Sequence, residues 1–120
     1  MAHKVTIYGI KNCDTMKKAR DWLEAHEVAY AFHDYKIAGI ERTVLEGWTR
    51  KVGWETLLNR AGTTFKKLPD AKKVALDEKK AIALMVEQPS MIKRPVLDVG
   101  GKLFVGFRPE LYESAGVAKG

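Results

Sequence analysis

Residues 4–34, KVTIYGIKNCDTMKKARDWLEAHEVAYAFHD, decide the fold. Lys4 to Tyr8 alternates and is rich in β-branched and aromatic residues, and Gly9 breaks the run, so a first strand ends near Tyr8. From Asp14 to Glu27 no proline or glycine intervenes. Met16, Ala19, Leu23 and Ala25/His26 recur at helical spacing with Trp22 beside them. Val28 to Asp34 alternates again and reads as a second strand. Strand, helix and strand in about thirty residues make a βαβ unit, whose strands run parallel through a right-handed crossover.

Downstream, Glu41–Val52 places Val44, Leu45 and Trp48 on one helical face and stops at Gly53. Trp54–Asn59 reads as a short helix and Gly62-Thr63-Thr64 as a loop. Leu68-Pro69 opens a further segment, and Asp77–Val86 is helical with Ala81, Ile82, Leu84 and Met85 inward. Gln88-Pro89 ends that helix. β character returns at Pro95–Val99 and Leu103–Phe107, which flank Gly100-Gly101-Lys102, a hairpin signal. A last helix, Pro109–Ala115, begins with proline in its first turn, and the tail 116–120 is expected to fray. The order is β-α-β, then helices, then β-β-α. We expect one α/β domain with a mixed four-stranded sheet, a core of about 4–37 and 92–115, and a helical insertion of about 38–91.

The chain has 120 residues, 46% hydrophobic and 30% charged, which is the composition of a globule and not of a disordered tail. Its single cysteine, Cys13, excludes an internal disulfide and a cysteine-built metal site. His3, His26 and His33 lack metal-ligand spacing, so no metal is expected. Nothing approaches the roughly 20 apolar residues of a membrane span, and the N-terminus lacks a signal peptide's apolar core. These features place the chain in a reducing cytosol. The net charge of +6 favours anionic partners. Because Lys66, Lys67, Lys72, Lys73, Lys79 and Lys80 alternate with Asp70, Asp77 and Glu78, they read as a solvated helical face. Direct nucleic-acid binding is not expected.

Cys13 follows a strand and opens a helix. A thiol there faces unpaired backbone N–H groups and the positive end of the helix dipole, both of which favour thiolate. Lys11 and Lys17 add to this, and Asp14 opposes it. Arg94-Pro95 stands at the mouth of the third strand, where the X–Pro bond has access to the cis form. In this sheet the third strand lies near the first, which carries Arg94 toward Cys13. Arg108 follows the last strand, and Arg60 is the weakest of the candidate arginines. One thiol with two or three guanidiniums makes a nucleophile inside an oxyanion clamp, since the planar fork of arginine matches oxyanions and carboxylates.

Thr6–Gly9 with Cys13, Lys18–Glu24, Lys93–Val96 and Gly106–Pro109 together resemble the arsenate reductase (ArsC)/Spx family. Gly9–Thr15, His33–Tyr35 and Gly62–Thr64 are most similar to its YffB-like branch. The resemblance runs from about Val5 to Tyr112 and implies a thioredoxin/glutaredoxin-like fold with a helical insertion and a cis Pro95. It implies Cys13 as the nucleophile and Arg94 and Arg108 as two anion-binding arginines. The third falls at Asn59, with Arg60 one place along, and Lys11, Arg60 and Pro95 complete the expected substrate-binding set. In such reductases glutathione attacks the cysteine adduct and glutaredoxin finishes the reduction. This chain departs from them at Gly9-Ile10-Lys11, where the arsenate enzymes carry His-Asn-Pro, and at Met16, a serine position. It also departs from the Cys-x-x-Cys of the Spx regulators, having Cys13-Asp14-Thr15-Met16.

The leading expectation is a monomeric, glutathione-linked monothiol reductase with no bound cofactor and with glutaredoxin as a possible partner. The alternatives are an arsenate reductase and a non-enzymatic, Spx-like regulator that binds RNA polymerase or another protein.

Overall fold

The computed structural model describes residues 4–11 and 13–114; His3, Asn12, Ala115 and the expected fraying tail lie outside the described residues. The chain divides into two compact units, residues 1–34 with 94–120 and residues 35–93.

The first unit is built on a four-stranded mixed sheet. β1 (Val5–Gly9) and β2 (Ala31–Asp34) are parallel and joined by α1 (Asp14–Ala25). β3 (Val96–Val99) lies antiparallel to β1 on its other side, and β4 (Lys102–Val105) forms a hairpin with β3. The order is therefore β2-β1-β3-β4, the thioredoxin-like α/β arrangement, with a short final helix over Pro109–Ser114. Alternation puts Val5 and Ile7 of β1, with Leu97 and Val99 of β3, on one face of the sheet. They meet Met16, Ala19 and Leu23, the inward stripe of α1, and Tyr112 of the last helix. Phe107 and Trp22 both present edges to the Tyr112 ring, at centroid distances of 4.8 and 5.5 Å.

The second strand is shorter than its alternation predicts. Val28 N–H donates to Leu23 O at 2.9 Å, Glu27 takes a left-handed φ of 56°, and pairing starts only at Ala31. The preceding helix accordingly ends at Ala25, not Glu27, with His26 as its C-cap. The fourth strand is Lys102–Val105 and not Leu103–Phe107, because Gly106, at φ 84°, turns the chain and donates its N–H to Pro95 O at 2.8 Å.

The second unit is helical. It holds α2 (Tyr35–Ala38), α3 (Arg42–Val52), α4 (Trp54–Leu57), α5 (Thr63–Lys66), α6 (Asp70–Lys73) and α7 (Glu78–Glu87), followed by a 3-10 turn over Pro89–Met91. Asp77 caps α7, its Oδ1 accepting from Lys80 N–H at 2.8 Å. Leu45 and Trp48 of α3, Leu57, Ile82, Met85 and Met91 are buried. Two details depart from the sequence expectation. Thr63-Thr64 begins a helical turn instead of a loop, because Asn59 Oδ1 accepts from Ala61 N–H (3.2 Å) and folds the chain tightly ahead of it, with Phe65 buried. A β-bridge joins Leu58 to Ile92 within a stretch that shows no strand pattern. Among the described residues no helix is long and apolar enough to cross a membrane.

Candidate active site

The site is built where β1 ends. Ile10 remains buried and Lys11 emerges into solvent. Cys13 then takes an extended backbone conformation (φ −125°, ψ 128°) as the N-cap of α1, and its carbonyl accepts from Lys17 N–H at 2.9 Å. The first N–H groups of a helix have no intrahelical acceptor, so an anion at the N-cap is stabilised by them. The Cys13 side chain is half-buried and packs against the sheet core. As a neutral thiol it closes no cap hydrogen bond; the groups around it act on the thiolate.

Burial alone pushes the Cys13 thiol up. The Met16 backbone N–H, the Arg94 guanidinium and the Thr15 N–H, as hydrogen-bond donors to the sulfur, each favour the anion and pull the thiol down. The positive charge of Arg94 acts in the same direction. Together they outweigh burial, and the thiol is held below its ordinary value.

Arg94 reaches the thiol through strand register. Tyr8 of β1 pairs with Val96 of β3, so the antiparallel register carries the two residues preceding β3 to the end of β1 that leads into Cys13. The Arg94–Pro95 peptide is cis, and Pro95 is buried with its carbonyl bonded to Gly106. Cys13 and Arg94 are the two sequence candidates that the structure couples, the guanidinium favouring the thiolate.

The other candidates are placed differently. Arg108 precedes the last helix, with its carbonyl accepting from Tyr112 N–H at 3.2 Å. Its side chain is exposed, without a hydrogen bond or ion pair among the described residues. Arg60 belongs to the helical unit, where its guanidinium lies 5.1 Å above the Trp54 ring and 4.0 Å from Glu55. Lys11 is exposed on the turn before Cys13.

Sequence reasoning named the helix start but not the two N–H groups, of Thr15 and Met16, that meet the thiolate. The signal available was the N-cap position itself, since a capping side chain addresses the N–H groups two and three residues on. It also left unremarked the fit between Met16 and Gly9. Met16 is fully buried against the β1 backbone, and a Cβ on Gly9 would collide with its sulfur.

A thioredoxin-like sheet with a stabilised cysteine at its first βα turn defines a thiol-bearing α/β protein. Comparison with known proteins makes this specific: the chain belongs to the ArsC family, whose model matches residues 8–115. The YFFB protein of known structure is 61% identical, covering 96% of this chain and 100% of its own, with a TM-score of 0.92. The solution structure of an arsenate reductase (ArsC) related protein from Brucella melitensis is 58% identical over 92% of each chain, with a TM-score of 0.75. The global transcriptional regulator Spx of Streptococcus mutans serotype c is 27% identical over 110 residues, 88% of this chain and 78% of that protein.

Proposed function

We propose that this chain is a monothiol reductase of the arsenate reductase type, with Cys13 as nucleophile, Arg94 as anion clamp and glutathione as the external thiol. The observation that carries this reading is Cys13 at the N-cap of α1, where the helix N–H groups and Arg94 hold its thiol below the ordinary value. Such a sulfur carries more thiolate at a given pH than an ordinary cysteine and remains nucleophilic. On a disulfide substrate RSSR, the Cys13 thiolate forms a mixed disulfide with one sulfur and releases the other as RS⁻. A glutathione thiolate then attacks that mixed disulfide, restores Cys13 and leaves as a glutathione–R disulfide. A second glutathione frees RS⁻ and yields glutathione disulfide. One disulfide is thus reduced to two thiols while two glutathiones are oxidised. Arg94 receives the negative charge of the incoming group, with Arg108 and Lys11 as further cations of the proposed set.

A second reading, reduction of arsenate, is favoured by the guanidinium at the thiolate, because its planar fork suits a tetrahedral oxyanion. The third, an Spx-like regulator without enzymatic activity, draws support from the regulator named among the relatives.

One experiment separates them. The protein is incubated with glutathione disulfide and weighed intact, and disulfide and arsenate turnover are then assayed with glutathione and glutaredoxin. The leading reading expects one glutathione on Cys13, removed by excess glutathione, with turnover of the disulfide. Arsenate consumption would favour the second reading. A protein that forms no adduct at any pH and turns over neither substrate overturns the first two and leaves the third.

A further inference from the structure

The helical unit carries a surface that the thiol chemistry does not use. Between Tyr35 and Lys93, twelve Lys and Arg stand against seven Asp and Glu, so this unit holds +5 of the chain's +6. A cavity of about 300 Å³ lies between α6 and α7. Ala71, Val74, Ala83 and Leu84 supply its apolar lining, Lys72 and Lys80 its two cations and Glu87 one carboxylate, so that the lining is net positive. Val74 is 61% exposed, one of two large apolar side chains so displayed among the described residues. The next residue, Ala75, has a left-handed φ of 53°, disfavoured for any residue with a Cβ, and Lys80 Nζ donates to its carbonyl at 3.2 Å. Backbone strain maintained beside an exposed valine in a cleft is where a binding role is first sought.

We infer that this groove docks an acidic, apolar-punctuated segment of a partner protein, one or two aliphatic side chains seating against Val74 and Leu84 while flanking carboxylates meet Lys72 and Lys80. The volume is at the lower end of the ~300–1,000 Å³ of ligand sites, which suits a side chain or two and not a large cofactor. Nucleic acid fits less well, since the lining has no aromatic ring for base stacking. A membrane surface fits less well too, because the feature is concave and displays one large apolar side chain instead of an inserting row.

The test uses the full chain and fluorescein-labelled synthetic peptides read by anisotropy. The probe repeats leucines flanked by aspartate and glutamate; one control replaces leucine by serine, another the acids by lysine. The inference expects saturable binding of the probe alone, weakened about tenfold or more by Val74→Asp and by Lys80→Glu, and weakened by raising the salt concentration. Val74 and the Lys80 side chain lie at the surface, and an unchanged circular dichroism spectrum certifies each variant. Failure of the probe to bind, equal binding of the serine control, or binding indifferent to both substitutions overturns it. So does preferential binding of an oligouridylate or of anionic lipid vesicles. Cys13→Ser is expected to bind the probe as the wild type does, so that failure here is distinct from failure of the thiol reading.

Discussion

Met16 occupies the space that a side chain on Gly9 would need, its sulfur lying where a Cβ on the strand residue would project. This sets the packing of α1 on β1 directly below the thiol. Gly9→Ala is expected to destabilise the protein by about 1–3 kcal/mol through overpacking. Met16→Ala is expected to cost about 2–5 kcal/mol through the cavity it leaves. The two residues touch, so the costs should not add: the double variant is expected to be more stable than their sum predicts, by a margin that urea unfolding of the four proteins measures.

The alkylation rate of Cys13 against pH reports its ionisation. Because the Met16 and Thr15 N–H groups and Arg94 prevail over burial, half-maximal reactivity with iodoacetamide is expected below the ~8.5 of a free cysteine. Arg94→Gln should move it upward and Arg94→Lys should restore part of the shift. Arg108→Ala should leave the profile unchanged, since that guanidinium is not among the groups that hold the thiolate. A profile indifferent to Arg94→Gln would remove the clamp from the account.

The same shift has a consequence for stability. The folded state holds Cys13 as thiolate at a pH where the unfolded chain still binds a proton, so the unfolding free energy should rise with pH through that window. The gain is present above the unfolded value near 8.5 and is lost as pH falls through the folded one. Subtracting the urea-derived stability of Cys13→Ser from that of the wild type, pH by pH, isolates the effect.

Tyr112 behaves in the opposite sense. Its hydroxyl is buried without a hydrogen-bond partner among the described residues, and burial drives its ionisation well above the ordinary tyrosine range. Above about pH 10 the unfolded chain releases this proton while the folded one retains it, so stability falls as pH rises. Tyr112→Phe should be neutral or up to about 1 kcal/mol more stable at pH 7. Its alkaline decline should also be shallower, which denaturant melts at pH 9 and pH 11 would show.

The βαβ opening was legible because period-2 and period-3.6 patterns alternate cleanly from Lys4 onward, and Gly100-Gly101 marked the hairpin. The end of the second strand's approach was not, since Glu27 and Val28 are fixed by the wrap of the chain over Leu23, which leaves no periodic trace. The bridge from Leu58 to Ile92 is equally silent, being a single tertiary pairing. At the site, Cys13 could be placed from the strand-to-helix transition, and Arg94 from the neighbourhood of the first and third strands. What Arg60 and Arg108 do depends on side-chain direction and on partners such as Trp54, which composition and spacing do not encode.

A single activated sulfur with no second cysteine anywhere in the chain also decides how the protein ages under oxidant. Peroxide converts a thiolate to sulfenic acid, and a neighbouring thiol would capture that species as a disulfide. Met16, at the position where a Cys-x-x-Cys protein keeps its second thiol, cannot. Without an external thiol, Cys13 should therefore pass on to the irreversible sulfinic and sulfonic acids, visible as successive oxygen additions in the intact mass.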